Sequence, residues 1–183
     1  MDLRNQFLLS MPTLEDPHFH RTLGLICDHS DHGAMGLVVN RPLALTAGEI
    51  LGHLGITPAV DAVAQQPVYY GGPVEPERGF VIHEQPESWE ATLQVGERLG
   101  VTTSRDILDA LGRGEGPPRF LLTLGYSGWG AGQLEAELAA NSWLTCPAAP
   151  DILFEYPAEE RLETAAARMG IDLDLLSADA GHA

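Results

Sequence analysis

Short apolar runs bounded by Gly, Pro, Asp or Asn recur along the chain and predict β-strands. They are Phe7-Leu8-Leu9, Leu23–Cys27, Gly36–Val39, Val68-Tyr69-Tyr70, Gly79–Ile82, Ala91–Val95, Phe120-Leu121-Leu122 and Ile152-Leu153-Phe154. Between some of these runs the apolar residues fall at helical spacing instead. Ile50, Leu51 and Leu54 follow Thr46, a suitable N-cap, while Ile107, Leu108 and Leu111 follow Ser104 and stop at Gly112. A third helix is expected from about Gly132 to Asn141, burying Leu134 and Leu138. A fourth starts at Pro157, places Glu159 and Glu160 near its positive end, buries Leu162, Ala166 and Met169, and stops at Gly170. The segment 58–67 reads as a loop insertion, and the small, polar tail from about residue 171 is expected to fray.

Strands outnumber helices and the two do not alternate strictly, so a regular doubly wound sheet is excluded. The expectation is a mixed α/β (α+β) fold, with about four helices packed on a mixed sheet, in one domain spanning residues 1–183.

Charge narrows the function classes. Ten basic residues, all Arg, face 26 acidic ones, for a net charge of −16. Without lysine there is no Walker lysine and no Schiff base. The arginines are spread singly, so no basic face is available for phosphate backbones, and direct nucleic-acid binding is not expected. Cys27 and Cys146 are too few for a disulfide framework or a four-cysteine zinc site. No signal peptide is visible and no run approaches the ~20 apolar residues of a membrane span, so a cytoplasmic location without membrane contact is expected.

Four stretches carry potential chemistry. In Cys27-Asp28-His29-Ser30-Asp31-His32, strand periodicity would put Cys27 and His29 on one face, either as a thiol–imidazole pair or as a buried strand end beside a His-decorated turn. His18 and His20 form a His-x-His pair next to Asp16, a fragment of a metal site or simply an exposed turn. Gly125-Tyr126-Ser127-Gly128-Trp129 approaches a nucleophile elbow, but Trp129 stands where the second glycine belongs, and the only downstream histidine is His182. The glycines around Trp129 also fail the dinucleotide fingerprint, because Gln133 occupies its last glycine position. Finally, Asn40-Arg41-Pro42 ends a strand in a polar turn, where Arg41 can grip a carboxylate or phosphate.

Taken in order, these stretches resemble the AlgH/YqgE family of bacterial proteins. The resemblance rests on Leu9-Ser10-Met11-Pro12 with Leu14-x-Asp16-Pro17-x-Phe19, on Gly33–Pro42, on Tyr70-Gly71-Gly72-Pro73-Val74, on Ser104–Leu108, and on Gly125–Trp129 with Gly132–Leu138 and Trp143. It implies a mostly antiparallel, bifurcated sheet curled into a pseudo-barrel. It implies no established enzyme activity, although some members carry a transcriptional-regulator label; with too few ligands at metal spacing, no metal and no cofactor are expected. Position 127 is commonly Ala in the family, which weakens Ser127 as a nucleophile.

The resulting expectation is a non-enzymatic regulatory or binding protein that acts on an unidentified protein or small molecule, with any transcriptional effect indirect. The alternative is a redox sensor or enzyme centred on Cys27. Three turns, Asn40-Arg41-Pro42, Gly71-Gly72-Pro73 and Gly128-Trp129-Gly130, are expected to gather at one end of the sheet. There Asn40, Arg41 and Trp129 would form a binding surface, with Arg41 as anion contact and Trp129 as an apolar platform.

Overall fold

The computed structural model describes residues 1–84 and 89–180. Ten strands form one branched sheet. Its main path runs β10 (Trp143–Pro147), β1 (Gln6–Ser10), β2 (Leu23–Ser30), β3 (Gly33–Val38), β9 (Phe120–Gly130), β6 (Val74–Glu84), β8 (Leu99–Thr102) and β7 (Thr92–Val95). Two strands, β4 (Pro42–Thr46) and β5 (Pro67–Tyr70), leave this path as a branch. The pairing of β5 with β9 is parallel and every other pairing is antiparallel. The sheet curls into a half-barrel.

All four expected helices form: α1 (Ala47–His53), α3 (Arg105–Arg113), α4 (Gln133–Ala139) and α6 (Ala158–Arg168). The hydroxyl of Thr46 caps α1 by accepting from the Glu49 amide at 3.3 Å. Helix α3 passes Gly112 and ends at Gly114, whose left-handed backbone (φ 77°) makes the cap. Three shorter or terminal helices were not expected. The four-residue α2 (Asp61–Ala64) sits in the 58–67 insertion. The run Ile152–Phe154, expected as a strand, is helix α5 (Pro150–Phe154), with Pro150 in the first turn and Ile152 and Leu153 buried. Leu173–Ala180 form helix α7, with Leu173 buried; residues 181–183, the end of the tail expected to fray, lie outside the described residues.

The helices cover three apolar clusters. In the largest, Phe7, Leu23, Leu25, Cys27 and Ile82 meet Ile152, Leu162 and Ala166. A second packs α1 and α3 on Val68, Val81 and Leu122. The third sets Leu134 of α4 against Leu8, Ile26, Trp129 and Trp143. Among the described residues no helix is long and apolar enough to cross a membrane.

Candidate functional site

Strand β9 is where the sheet divides. Residues Val68–Tyr70 of β5 pair with Leu122–Leu124, and residues Gly33–Gly36 of β3 pair with Ser127–Gly130 on the same edge further along. The opposite edge is taken by β6. The two neighbours separate at Gly125, and the reason is backbone contact. A Cβ at Gly71 would lie 2.3 Å from the Gly125 carbonyl oxygen, and one at Gly125 would lie 2.3 Å from that of Gly72. Gly125 is also left-handed, at φ 77°. The glycines of Tyr70-Gly71-Gly72-Pro73 and Gly125-Tyr126 therefore serve as a backbone-to-backbone crossing. Three hydrogen bonds tie it together: Val38 N to Gly71 O (2.8 Å), Gly71 N to Leu124 O (2.8 Å), and Ser127 Oγ to Gly71 O (3.2 Å).

The fork opens into a groove of about 630 Å³. It is lined by Asn40 and Arg41, by Pro42 and Leu43 at the start of β4, by Tyr70, Pro73 and Pro76 around the glycine crossing, and by Pro17 and His18 from the loop before β2. Two of the three expected turns thus meet here. Arg41 holds the rim: its Nη1 donates to the carbonyls of Pro17 (3.0 Å) and His18 (2.8 Å), and Nη2 donates to His20 O. Asn40 holds the base, accepting from Leu23 N at 2.9 Å and donating to Arg21 O at 3.0 Å. The Tyr70 hydroxyl lies 3.0 Å from His18 Nδ1. Partial burial raises the Tyr70 pKa, with Arg41 pulling the other way and Asp16 adding to the rise, so the phenol stays protonated. Among the described residues Arg41 forms no ion pair, and Asp16, which acts on the same Tyr70 hydroxyl, is the acidic group near it.

Trp129 is not part of this groove, which corrects the expected shared surface. Gly128-Trp129-Gly130 is no turn; it is the end of β9, with Trp129 opposite Ala34. The indole is only 8% exposed, stacked on Phe19 (ring centroids 6.1 Å apart) and edge-on to Trp143 (6.2 Å). Its link to Arg41 is mechanical, because Phe19 sits in the loop whose carbonyls Arg41 grips.

The other candidate chemistries are dispersed. A β-bulge in β2 pairs Ile26 with Gly36 but Asp28 with Met35, leaving Cys27 as the extra residue. Beyond it the alternation is reversed. Cys27 enters the largest core cluster, whereas His29 stands opposite Ala34, which packs on the cluster beneath α4. The expected common face for Cys27 and His29 is therefore lost. Full burial pushes the Cys27 thiol far above its ordinary pKa, with Asp28 adding to the rise. His29 Nδ1 accepts from Leu3 N at 3.1 Å, so Nε2 carries the proton and faces Glu135 of α4. That bond holds the Glu135 carboxyl below its usual range. His20 Nδ1 turns to Leu14 O (3.2 Å), away from the partner of His18.

A branched half-barrel carrying these motifs at its fork defines the family to which the chain belongs, described as AlgH-like and matched over residues 7–174. The chain is 50% identical to a UPF0301 protein of Nitrosococcus oceani over 180 residues, covering 98% of this chain and 96% of that one. It is 53% identical to a UPF0301 protein of Thioalkalivibrio sulfidiphilus over 179 residues, with the same coverage of 98% and 96%. The solution structure of AlgH from Pseudomonas aeruginosa superposes with a TM-score of 0.82 at 49% identity, covering 100% of this chain and 97% of that one. A crystal structure from Corynebacterium diphtheriae, at 20% identity, shares the fold with a TM-score of 0.74 over 95% of this chain and 91% of that one.

Proposed function

We propose that the protein is a non-enzymatic cytoplasmic binding protein, and that an acidic group of a protein or small-molecule partner sits in the groove at the fork. The observation that carries this reading is the pairing of Arg41, which forms no ion pair among the described residues, with the apolar wall of Pro42, Leu43 and Pro73. Such a surface favours a ligand that combines negative charge with an apolar frame. The dispersal of Cys27, His29 and Ser127 supports binding over catalysis, since a nucleophile needs a base within hydrogen-bond reach. A net charge of −16 supports an indirect route to any transcriptional effect.

The test is retention of a partner from native extract on the immobilised protein, followed by rebinding of the purified partner. Leu43→Asp, in the groove, should abolish retention, while Leu93→Asp, on exposed β7, should leave it intact. Equal retention by both variants would contradict the reading.

A further inference from the structure

Arg161 of α6 is 4% exposed, yet every partner of its guanidinium is a neutral oxygen. Nε donates to Tyr156 O (3.0 Å), Nη1 to Val39 O (2.5 Å) and Nη2 to the Tyr69 hydroxyl (3.3 Å), and the guanidinium carbon lies 4.9 Å from the Tyr69 ring centre. These bonds use three of the five N–H groups a guanidinium owns. Among the described residues Arg161 forms no ion pair, in a chain with 26 carboxylates available. A buried cation held by neutral oxygens alone is expensive, because bonds to neutral groups do not offset the lost hydration of the charge.

Arg161 and Tyr69 line a cavity of about 130 Å³ that shares no lining residue with the groove. The other polar groups lining it are Gln66, Tyr69 and Arg119, with Phe120 and Phe154 as apolar walls. Arg119 is already paired with Glu84 and, more loosely, with Glu155 at 3.6 Å. It brings a second, shared charge, and Arg161 brings the unshared one. At ~30 Å³ per water the cavity has room for about four waters, enough for a tetrahedral ion of five heavy atoms and too little for a nucleotide.

We propose that this cavity is a binding site for a small oxyanion of the phosphate type, with Arg161 as its principal charge partner and Arg119, Gln66 and the Tyr69 hydroxyl completing the cradle. Two guanidinium groups suit an oxyanion because their planar donor forks match its oxygens. Free inorganic phosphate and a small phosphomonoester share this chemistry. Chloride, a single spherical ion, cannot take up several directional N–H donors at once and gains less from the two forks.

The test is a titration of the full-length ¹⁵N-labelled protein with inorganic phosphate, and in parallel with glycerol phosphate, against chloride at matched ionic strength. The expected result is saturable shifts of the Gln66 and Tyr69 amides and of the Arg161 Nε–H, with a dissociation constant at or below the millimolar range. Tighter binding of glycerol phosphate would identify the phosphomonoester as the ligand type, and tighter binding of phosphate the free ion. Arg161→Met should abolish saturation, and Arg119→Gln and Gln66→Leu should each weaken it at least threefold. Because Arg161 also joins α6 to Val39, Arg161→Met can fail to fold, and the Arg119→Gln/Gln66→Leu double variant then decides alone. Shifts that grow linearly without saturating, saturation centred on Arg41 instead, or unchanged affinity in the double variant would each overturn the proposal.

Discussion

Replacing Arg41 by Met removes three hydrogen bonds to the carbonyls of Pro17, His18 and His20 while leaving the aliphatic stem in place. Bonds from a charged donor are worth about 1.5–3 kcal/mol each when shielded and nearer 1 at a half-exposed site, so the three together supply about 3 kcal/mol. The loss does not stay at the rim. Phe19 lies between His18 and His20 and packs on Trp129 and Trp143, with ring centroids 6.1 and 5.5 Å away. Loosening the loop forfeits part of that aromatic contact, about 0.5–1.5 kcal/mol per pair. The expected total for Arg41→Met is therefore about 3–4 kcal/mol, and Arg41→Lys, which keeps the charge but not the fork, should lose about 2 kcal/mol. Urea denaturation followed by tryptophan emission measures the total. Amide exchange of Phe19 and His20, both of which donate to Asp16 O at 3.0 and 2.7 Å, reports the loop itself. Exchange at these two amides should accelerate ahead of the rest of the chain. A stability change below ~0.5 kcal/mol with unchanged exchange at Phe19 and His20 would refute the clamp, since the loop would then hold its shape without Arg41.

Other consequences are equally direct. Gly71→Ala drives a Cβ to 2.3 Å from the Gly125 carbonyl and should cost at least about 2 kcal/mol by urea denaturation; a neutral effect would remove the backbone crossing as the cause of the fork. Native Cys27 should resist a thiol reagent at pH 8 and become reactive only as the protein unfolds, because burial keeps it protonated; rapid stoichiometric labelling of the folded protein would revive the redox alternative. Glu135 is held below its unfolded pKa of ~4.3 by His29, so its contribution is complete above that value and disappears as pH falls through the lower, folded one. The stability gap between wild type and Glu135→Gln should accordingly close on acidification from about pH 6 to about pH 3. A gap that stayed constant over this window would show that the His29 contact does not depend on the carboxylate's charge.

Much of the architecture is legible in the sequence, and the failures have identifiable causes. Seven of the eight apolar runs are strands, because β-branched and aromatic residues bounded by turn formers state their preference locally. Ile152–Phe154 has the same composition but follows Pro150, and its two buried residues pack beside α6, so tertiary context makes it helical. Strands β4, β8 and β10 escape notice because Pro42 opens the first, Gly100 lies inside the second and Pro147 closes the third, and their strand character comes from pairing. The glycines flanking Trp129 look like a turn yet lie in a strand, since β3 approaches so closely that a Cβ at Gly33 would sit 2.3 Å from Trp129 O. A bulge leaves no signature in hydrophobic pattern, so the separation of Cys27 from His29 was invisible. For the site, Asn40 and Arg41 were legible as a polar turn ending a strand. Their roles were not, because the carbonyls they hold belong to a loop 19–24 residues earlier in the chain. Arg161 offered no signal at all: within Glu159-Glu160-Arg161 it reads as a solvated helix face.

The groove reading is tested most directly by a photo-crosslinking side chain placed at position 43, with position 93 as the control, activated in cells that express the full chain. A discrete adduct at 43 and not at 93, lost when Arg41→Met is added and competed by excess wild-type protein, is the result the groove predicts. No adduct at 43, or the same adduct at both positions, would contradict it.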